Sequence, residues 1–189
     1  RRERPAVNEQ GHLLEFWLAP ANRPLWFQKD PAFDDEVRRR FEAVHERAAE
    51  GRFAQWQNTP EGALALLLCL DQFPRNMYRG TPRAFATDEK ARLVADWAID
   101  RGFDMSFKDE QVRLFFYLPF EHSEDLDDQH RAVELVRQRC SSDPEILRYA
   151  ILHCDVIEKF GRFPHRNAIL GRRSTPEEEE YLKQPGAGF

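Results

Sequence analysis

Hydrophobic positions recur at helical spacing along most of this chain. In the stretch 34–50, four apolar residues follow a four-three-four spacing, which is one stripe of an amphipathic helix: Val37, Phe41, Val44 and Ala48. Comparable patterns predict helices over 34–50, 88–101, 109–118, 124–140 and 144–160, with a short helix near 12–18. Pattern alone leaves a strand possible at 112–120, where aromatic residues are dense, but the helical surroundings favour a helix there.

One segment is apolar on every side rather than on one face. Residues 63–70 contain only alanine, leucine and cysteine. A helix of this kind must lie in the middle of the domain. Thr59, Pro60 and Glu61 supply a capping side chain, a first-turn proline and an acid at the positive helix end, so the helix is predicted over 60–70. It leads directly into Asp71, at the edge of the predicted core.

The same start signal occurs at 143–145 and 175–178, where Glu178 is placed to complete a capping box with Thr175. We find no convincing hairpin or strand pair. The sequence therefore predicts an all-α fold of antiparallel helix pairs, namely 34–50 with 60–70, 88–101 with 109–118, and 124–140 with 144–160. We expect one domain over residues 1–189, with frayed ends at about 1–8 and 184–189.

Composition narrows the classes of partner. The formal charge of −5 argues against nucleic-acid binding. Three cysteines without a C-x-x-C motif suggest free buried thiols in a reducing compartment, so we expect no metal and no cofactor. No apolar run is long enough for a membrane span. The sequence starts at Arg1 without a methionine and shows no apolar signal stretch, and we expect a cytoplasmic protein whose native N-terminus and oligomeric state the sequence leaves open.

Two loops repeat one another and mark the best candidate site. A Phe-Pro-Arg-Asn segment at 73–76 is echoed by Phe-Pro-His-Arg-Asn at 163–167, and each is followed by glycine and arginine. If the loops meet, their donors form a pocket for an anionic small molecule or an acidic peptide. The predicted ligand-binding residues are Arg75, Asn76, Arg79, Arg162, His165, Arg166 and Asn167, with Arg172 as a further candidate. In the alternative, each arginine caps helix carbonyls or pairs with a carboxylate such as Asp71, Asp155 or Glu158.

A hydrolase-type enzyme is the main rival hypothesis. Glu121, His122 and His165 are its candidate acid–base groups, with Glu124 and His153 as possible additions. In the alternative, residues 121–124 form the turn and cap before the next helix, with Ser123 as the cap. No Glu-x-x-His pair is present, which argues against a di-iron bundle. Whether the protein is an enzyme stays open.

A third hypothesis is a scaffold for protein interactions. Stacked helix pairs make a concave groove that suits an extended peptide or a helix. Exposed aromatic rings would be its anchors, namely Trp26, Trp56, Tyr78 and Phe85. In the alternative, these rings close the core.

Three spaced blocks resemble the signature motifs of the domain-of-unknown-function family 924. They are LDQFPRN with RGT at 70–81, FFYLPFEHSE at 115–124, and GRFPHRN with LGR and ST at 161–175. The resemblance extends from about residue 13 to 182. It implies a tetratricopeptide-like, all-helical fold (an α-α superhelix) of a mainly bacterial family, and it implies no established activity.

Overall fold

The computed structural model describes residues 8–189 and is helical throughout, with no strand in that range. The all-α prediction is therefore confirmed. Residues 1–7 of the expected frayed N-terminus lie outside the described residues. The helices are α1 (Glu9–Leu18), α2 (Pro31–Ala49), α3 (Pro60–Leu67), α4 (Phe73–Met77), α5 (Asp88–Asp100), α6 (Glu110–Glu121), α7 (Leu126–Arg139), α8 (Pro144–Phe160), α9 (Asn167–Leu170) and α10 (Pro176–Leu182). Among the described residues, no helix is long and apolar enough to cross a membrane.

The predicted helix starts form as the capping residues require. Thr59 and Asp143 accept hydrogen bonds from the first turns of α3 and α8. At α10 the capping box is complete, because Thr175 Oγ1 accepts from Glu178 N at 3.1 Å and Glu178 Oε1 accepts from Thr175 N at 3.0 Å. These starts are confirmed, and they show that side-chain capping sets helix boundaries here.

The central helix does not stop where its apolar run ends. Between α3 and α4, residues Leu68–Gln72 form a π turn, which widens the helix by one residue and rotates the side chains that follow. Side chains from neighbouring elements form hydrogen bonds with the carbonyl groups of this turn. His45 Nδ1 lies 2.7 Å from Cys69 O, and Thr87 Oγ1 donates to Leu70 O at 2.5 Å. The turn is thereby held at the point where the chain leaves the core.

Helix pairing follows the predicted order with one difference. Consecutive helices α5, α6, α7 and α8 pack against one another, as predicted for 88–101 with 109–118 and for 124–140 with 144–160. Helix α2 packs mainly on α4 and the π turn, so within the expected partner segment 60–70 it meets the part that lies in the π turn. The reason is that α3 is surrounded by α1, α5, α6 and the turn at 54–58. The single-domain boundaries and the tetratricopeptide-like superhelix remain predictions.

Aromatic rings fill the core. Trp17 is fully buried, and its ring lies 5.4 Å from that of Phe73 and 5.8 Å from that of Phe115. Two rings that we considered as exposed anchors, Trp26 and Tyr78, are buried. The two others, Trp56 and Phe85, are half-buried against the same core. The rings therefore close the core, as the alternative to the scaffold hypothesis required. All three cysteines are buried and free, as their apolar surroundings suggested.

The last residues differ from the frayed segment that the sequence suggests. Ala187 is buried, and the ring of Phe189 stacks on that of His153 with centroids 3.8 Å apart. A second, smaller hydrophobic cluster lies beside this contact and includes Val156, Ile157 and Phe163. This end of the molecule is where the candidate site is found.

Candidate functional site

Three chain segments meet at the site: the π turn with α4, the end of α6, and the loop after α8. That loop can turn back because Gly161 caps α8 in the left-handed conformation, at φ 71°. Its short turn at Pro164–Arg166 then faces the end of α6. The two echoing loops therefore lie close together in space, although they are far apart in the sequence.

Arg75 is fully engaged by carboxylates. Its Nη1 and Nη2 donate to the two oxygens of Asp88 at 2.7 and 3.0 Å, and Nη1 also donates to Asp71 O at 3.0 Å. Asp88 stands in the first turn of α5, so this two-pronged pair joins α4 to α5. Burial alone would lower the pKa of Arg75, but Asp71 and Asp88 outweigh it and raise that pKa. For Arg75, the alternative of carboxylate pairing therefore holds.

Asp71 and His122 form a buried acid–imidazole pair. Asp71 Oδ1 lies 2.8 Å from His122 Nδ1. Burial raises the pKa of the Asp71 carboxyl, but the hydrogen bond from His122 and the charges of Arg75 and Arg166 lower that pKa by more than burial raises it. Burial and then Arg75 lower the pKa of His122. At neutral pH we therefore assign a carboxylate to Asp71 and a neutral ring to His122, in which Nδ1 carries the proton and Nε2 can accept one.

Arg166 is the buried cation without a carboxylate partner among the described residues. Its side chain is only 6% exposed, and Nη2 donates to the carbonyl of His122 at 2.8 Å, at the negative end of α6. Its guanidinium lies between two rings, with Cζ 4.4 Å from the Phe85 centroid and 4.6 Å from the Phe163 centroid. Nε is buried without a partner. Burial, followed by Arg75, lowers the pKa of Arg166 to about 10.

The first loop's other predicted ligands hold α4 to α2 instead. Asn76 Nδ2 donates to Asp34 Oδ1 at 2.9 Å, and Arg79 Nε donates to Asp34 Oδ2 at 2.9 Å. Gln72 completes the contact by donating to Asn76 Oδ1 at 3.0 Å. These three side chains are satisfied within the protein.

Two arginines of the second loop, Arg162 and Arg172, are likewise paired. Arg162 binds Glu178 through Nε and Nη2 at 2.9 and 2.7 Å, and Arg172 binds Glu124 at 2.8 and 3.2 Å. Asn167 joins the two pairs, because it donates to Glu178 Oε2 at 3.4 Å and accepts from Arg172 Nε at 3.0 Å. This network holds the loop in shape, while His165 Nδ1 and Arg166 Nε are buried without a partner among the described residues.

The candidate catalytic groups Glu121 and His122 have different partners: Glu121 lies beside His153, and His122 lies beside Asp71. Glu121 does not bond His122; its Oε1 lies 3.2 Å from His153 Nδ1, which also lies 2.7 Å from Tyr149 O. Burial, followed by Asp71, raises the pKa of Glu121 to about 8, while burial lowers the pKa of His153 to about 3. Both groups are therefore neutral at pH 7. Glu124 serves the loop, since it also accepts from Phe163 N at 2.7 Å.

His165 has a buried Nδ1 without a partner. Burial, followed by Arg166, lowers its pKa to about 4, so the ring is neutral at pH 7. Its centroid lies 5.7 Å from that of Phe163 and 5.9 Å from that of Phe189. Neither Phe189 nor Phe85 could be assigned to this site from the sequence, because nothing in their local pattern distinguishes them from core rings. For Asp88, the sequence indicated only that it begins a helix, and it did not indicate the pairing with Arg75.

A separate group of metal-ligand types lies on the far side of α8. His130, Cys154 and Glu158 offer ligand atoms within 4.8 Å of one another, beside a surface cavity between α7 and α8. Two of these three side chains are exposed, and the thiol pKa of Cys154 is raised by burial and by Glu158. The sequence did not indicate this group, because its members lie on two helices. We assign no metal to it, since exposed groups of this kind are common.

Comparison with known proteins bears on family rather than activity. No curated protein matches the chain. The solved "Structure of Protein of Unknown Function ATU0120 from Agrobacterium tumefaciens" is 46% identical, covers 92% of this chain and 96% of its own, and superposes with a TM-score of 0.87. A family model described as "Bacterial protein of unknown function (DUF924)" matches residues 13–186. The resemblance found in the three sequence blocks is thus confirmed, and the chain belongs to the DUF924 family.

Proposed function

We propose that this protein binds the anionic group of a small molecule at Arg166, with His165 as a second donor. The observation that carries the proposal is the side chain of Arg166, which is 6% exposed and pairs with no carboxylate of the described residues. A buried cation that lacks a counter-charge costs several kcal/mol in desolvation, and its stacking on two rings offsets only part of that cost. A bound carboxylate or phosphate would supply the missing charge.

The neighbouring groups support this assignment. Arg75 is occupied by Asp71 and Asp88, so these carboxylates are not available to Arg166 as direct partners. The lowered pKa of Arg166 indicates that they do not compensate for its burial from a distance. The neutral ring of His165 can place an N–H at the same anion through Nδ1, which has no partner among the described residues. The predicted pocket is therefore reduced to two of its residues.

Calorimetric titration with propionate and with inorganic phosphate tests the proposal. We expect saturable binding of at least one of them to the wild type, and a loss of tenfold or more in Arg166→Ala. Arg79→Ala is the matched control, because Arg79 is a partly exposed arginine already paired with Asp34. A hundredfold excess of ligand over Kd should also stabilise the wild type by about 2.7 kcal/mol. Equal binding by the wild type and a folded Arg166→Ala would refute the proposal.

Acid–base catalysis is a second candidate, and the Asp71–His122 pair favours it. The carboxylate orients the ring through Nδ1 and leaves Nε2 to accept a proton, which is the arrangement of a general base. Glu121 would not take part, since it pairs with His153. Hydrolysis of p-nitrophenyl acetate or p-nitrophenyl phosphate that disappears in His122→Gln, but not in His130→Gln, would support this function. Equal rates in all three proteins would exclude His122 as the base for these substrates.

A further inference from the structure

The contact made by Phe189 indicates what else the ligand carries. Its ring stacks on His153 at 3.8 Å, with 21° between the planes. Its edge contacts complete a slot with two other rings, Phe163 at 6.2 Å and 79° and His165 at 5.9 Å and 76°. An aromatic ring is thus held on three sides by rings, in the geometries that aromatic pairs prefer.

The slot adjoins the unpaired cation. The ring of Phe163, which is fully buried, belongs to both sites. The guanidinium Cζ of Arg166 lies 4.6 Å from its centroid, and Phe189 makes an edge contact with it. His165 is shared in the same way, because it contacts Phe189 with its ring and has an unpartnered Nδ1. A planar ring in the slot and an anion at Arg166 therefore lie close enough to belong to one small molecule.

Phe189 itself is a loosely held occupant. Its side chain is 42% exposed, whereas Phe163 beneath it is fully buried and His153 nearly so. Two surface cavities of the described part of the chain lie elsewhere, one along α7 and α8 and one beside α1. Phe189 is the exposed ring of the group that it forms with His153, Phe163 and His165, so a ligand ring that enters the slot would replace it.

From these contacts, and building on the proposed function, we infer that the site takes a small aromatic acid, whose ring replaces that of Phe189 between His153, Phe163 and His165 while its carboxylate or phosphate binds Arg166. The neutral imidazole of His153 suits this role, because it offers an uncharged flat face to the ligand ring. Phe189 occupies the slot when no ligand is bound and so lowers the apparent affinity.

The test is a calorimetric series that separates the ring from the charge. Phenylacetate, 3-phenylpropionate and 4-phenylbutyrate vary the distance between the two, while propionate lacks the ring and 3-cyclohexylpropionate replaces it with a non-planar one. We expect the best phenyl acid to bind the wild type at least tenfold tighter than propionate and several-fold tighter than the cyclohexyl compound. Comparing the affinity for phenyl phosphate with that for inorganic phosphate tests the contribution of the ring when the anion is a phosphate.

Phe189→Ala provides the decisive comparison. We expect it to tighten binding of the phenyl acids three- to tenfold and to leave propionate unchanged, because only the ring competes with Phe189. Leu182→Ala, which truncates a side chain of similar exposure, should change neither. Phenyl acids that bind no tighter than propionate, or that bind equally well to Phe189→Ala and the wild type, would overturn the inference. Arg166-dependent binding of propionate or phosphate would in that case leave the proposed anion site intact.

Discussion

Arg75 and Arg166 lie over the same ring, that of Phe85, although 91 positions of sequence separate them: the Cζ–centroid distances are 5.4 and 4.4 Å. Only one of the two guanidinium groups is neutralised. Arg75 binds Asp88 and Asp71, whereas Arg166 binds a helix-end carbonyl. The echo between the two loops therefore joins an arginine that pairs with carboxylates to one that pairs with none among the described residues.

This difference predicts opposite effects on stability. Arg75→Met should lower the free energy of unfolding by about 3–5 kcal/mol, because it leaves Asp88 buried without its arginine partner and leaves Asp71 with His122 alone. Arg166→Met should cost less than about 1 kcal/mol, since it removes a buried charge that no carboxylate balances and keeps apolar bulk between Phe85 and Phe163. Urea denaturation at neutral pH measures both. Equal losses would show that Arg166 is as much a structural cation as Arg75.

Glu121 should make the fold less stable as pH rises. Its pKa is about 8 in the folded state against an ordinary value of 4.5, so the folded protein holds a proton that the unfolded chain releases above pH 4.5. The contribution is complete below pH 4.5 and is lost progressively up to pH 8. Relative to Glu121→Gln, the wild type should lose roughly 3 kcal/mol between pH 5 and 8. Urea denaturation at both pH values checks this, with the exposed Glu158→Gln as control; a constant difference would contradict it.

His165 should make the fold less stable as pH falls into the acid range. The pKa of His165 falls from 6.5 to about 4 on folding. Between these two pH values the unfolded chain binds a proton that the folded protein does not bind. Stability is therefore lost as pH drops from 6.5 toward 4. His165→Gln should reduce this loss by roughly 1–2 kcal/mol at pH 5, while His130→Gln, at an exposed site, should not. Thermal unfolding between pH 5 and 7 provides the comparison, and parallel curves for the wild type and His165→Gln would count against a buried neutral ring.

Gly62 is required by a close approach rather than by its backbone angles. A Cβ at this position would lie 2.0 Å from the carbonyl oxygen of Trp56, at the start of α3. Gly62→Ala should therefore cost several kcal/mol, because the turn at 54–58 must move away from the helix. Gly188→Ala, where a Cβ meets nothing within 4 Å, is the matched control. Similar unfolding midpoints for the two variants would show that the turn adapts without cost.

The fold could be predicted from the sequence because its signals are local. The stripe through Val37, Phe41 and Val44 identifies α2, and the cap at Thr59 marks the start of α3. Apolar residues on every side of 63–70 placed that helix in the core, where it lies. Exposure was harder to infer: Trp26 and Tyr78 are buried because rings from distant segments surround them, which no local pattern records.

The sequence by itself determined the all-helical class, the helix starts and the two loops in which to look for a site, since spacing and capping act over a few residues. The tertiary structure decided which donors remain available in those loops. Asn76 and Arg79 are bound by Asp34, and Arg162 and Arg172 by glutamates, whereas Arg166 meets rings and a carbonyl. The physical reason is that packing among distant segments selects the charge partner of a side chain, so arginines in similar local sequences can end with or without a carboxylate partner.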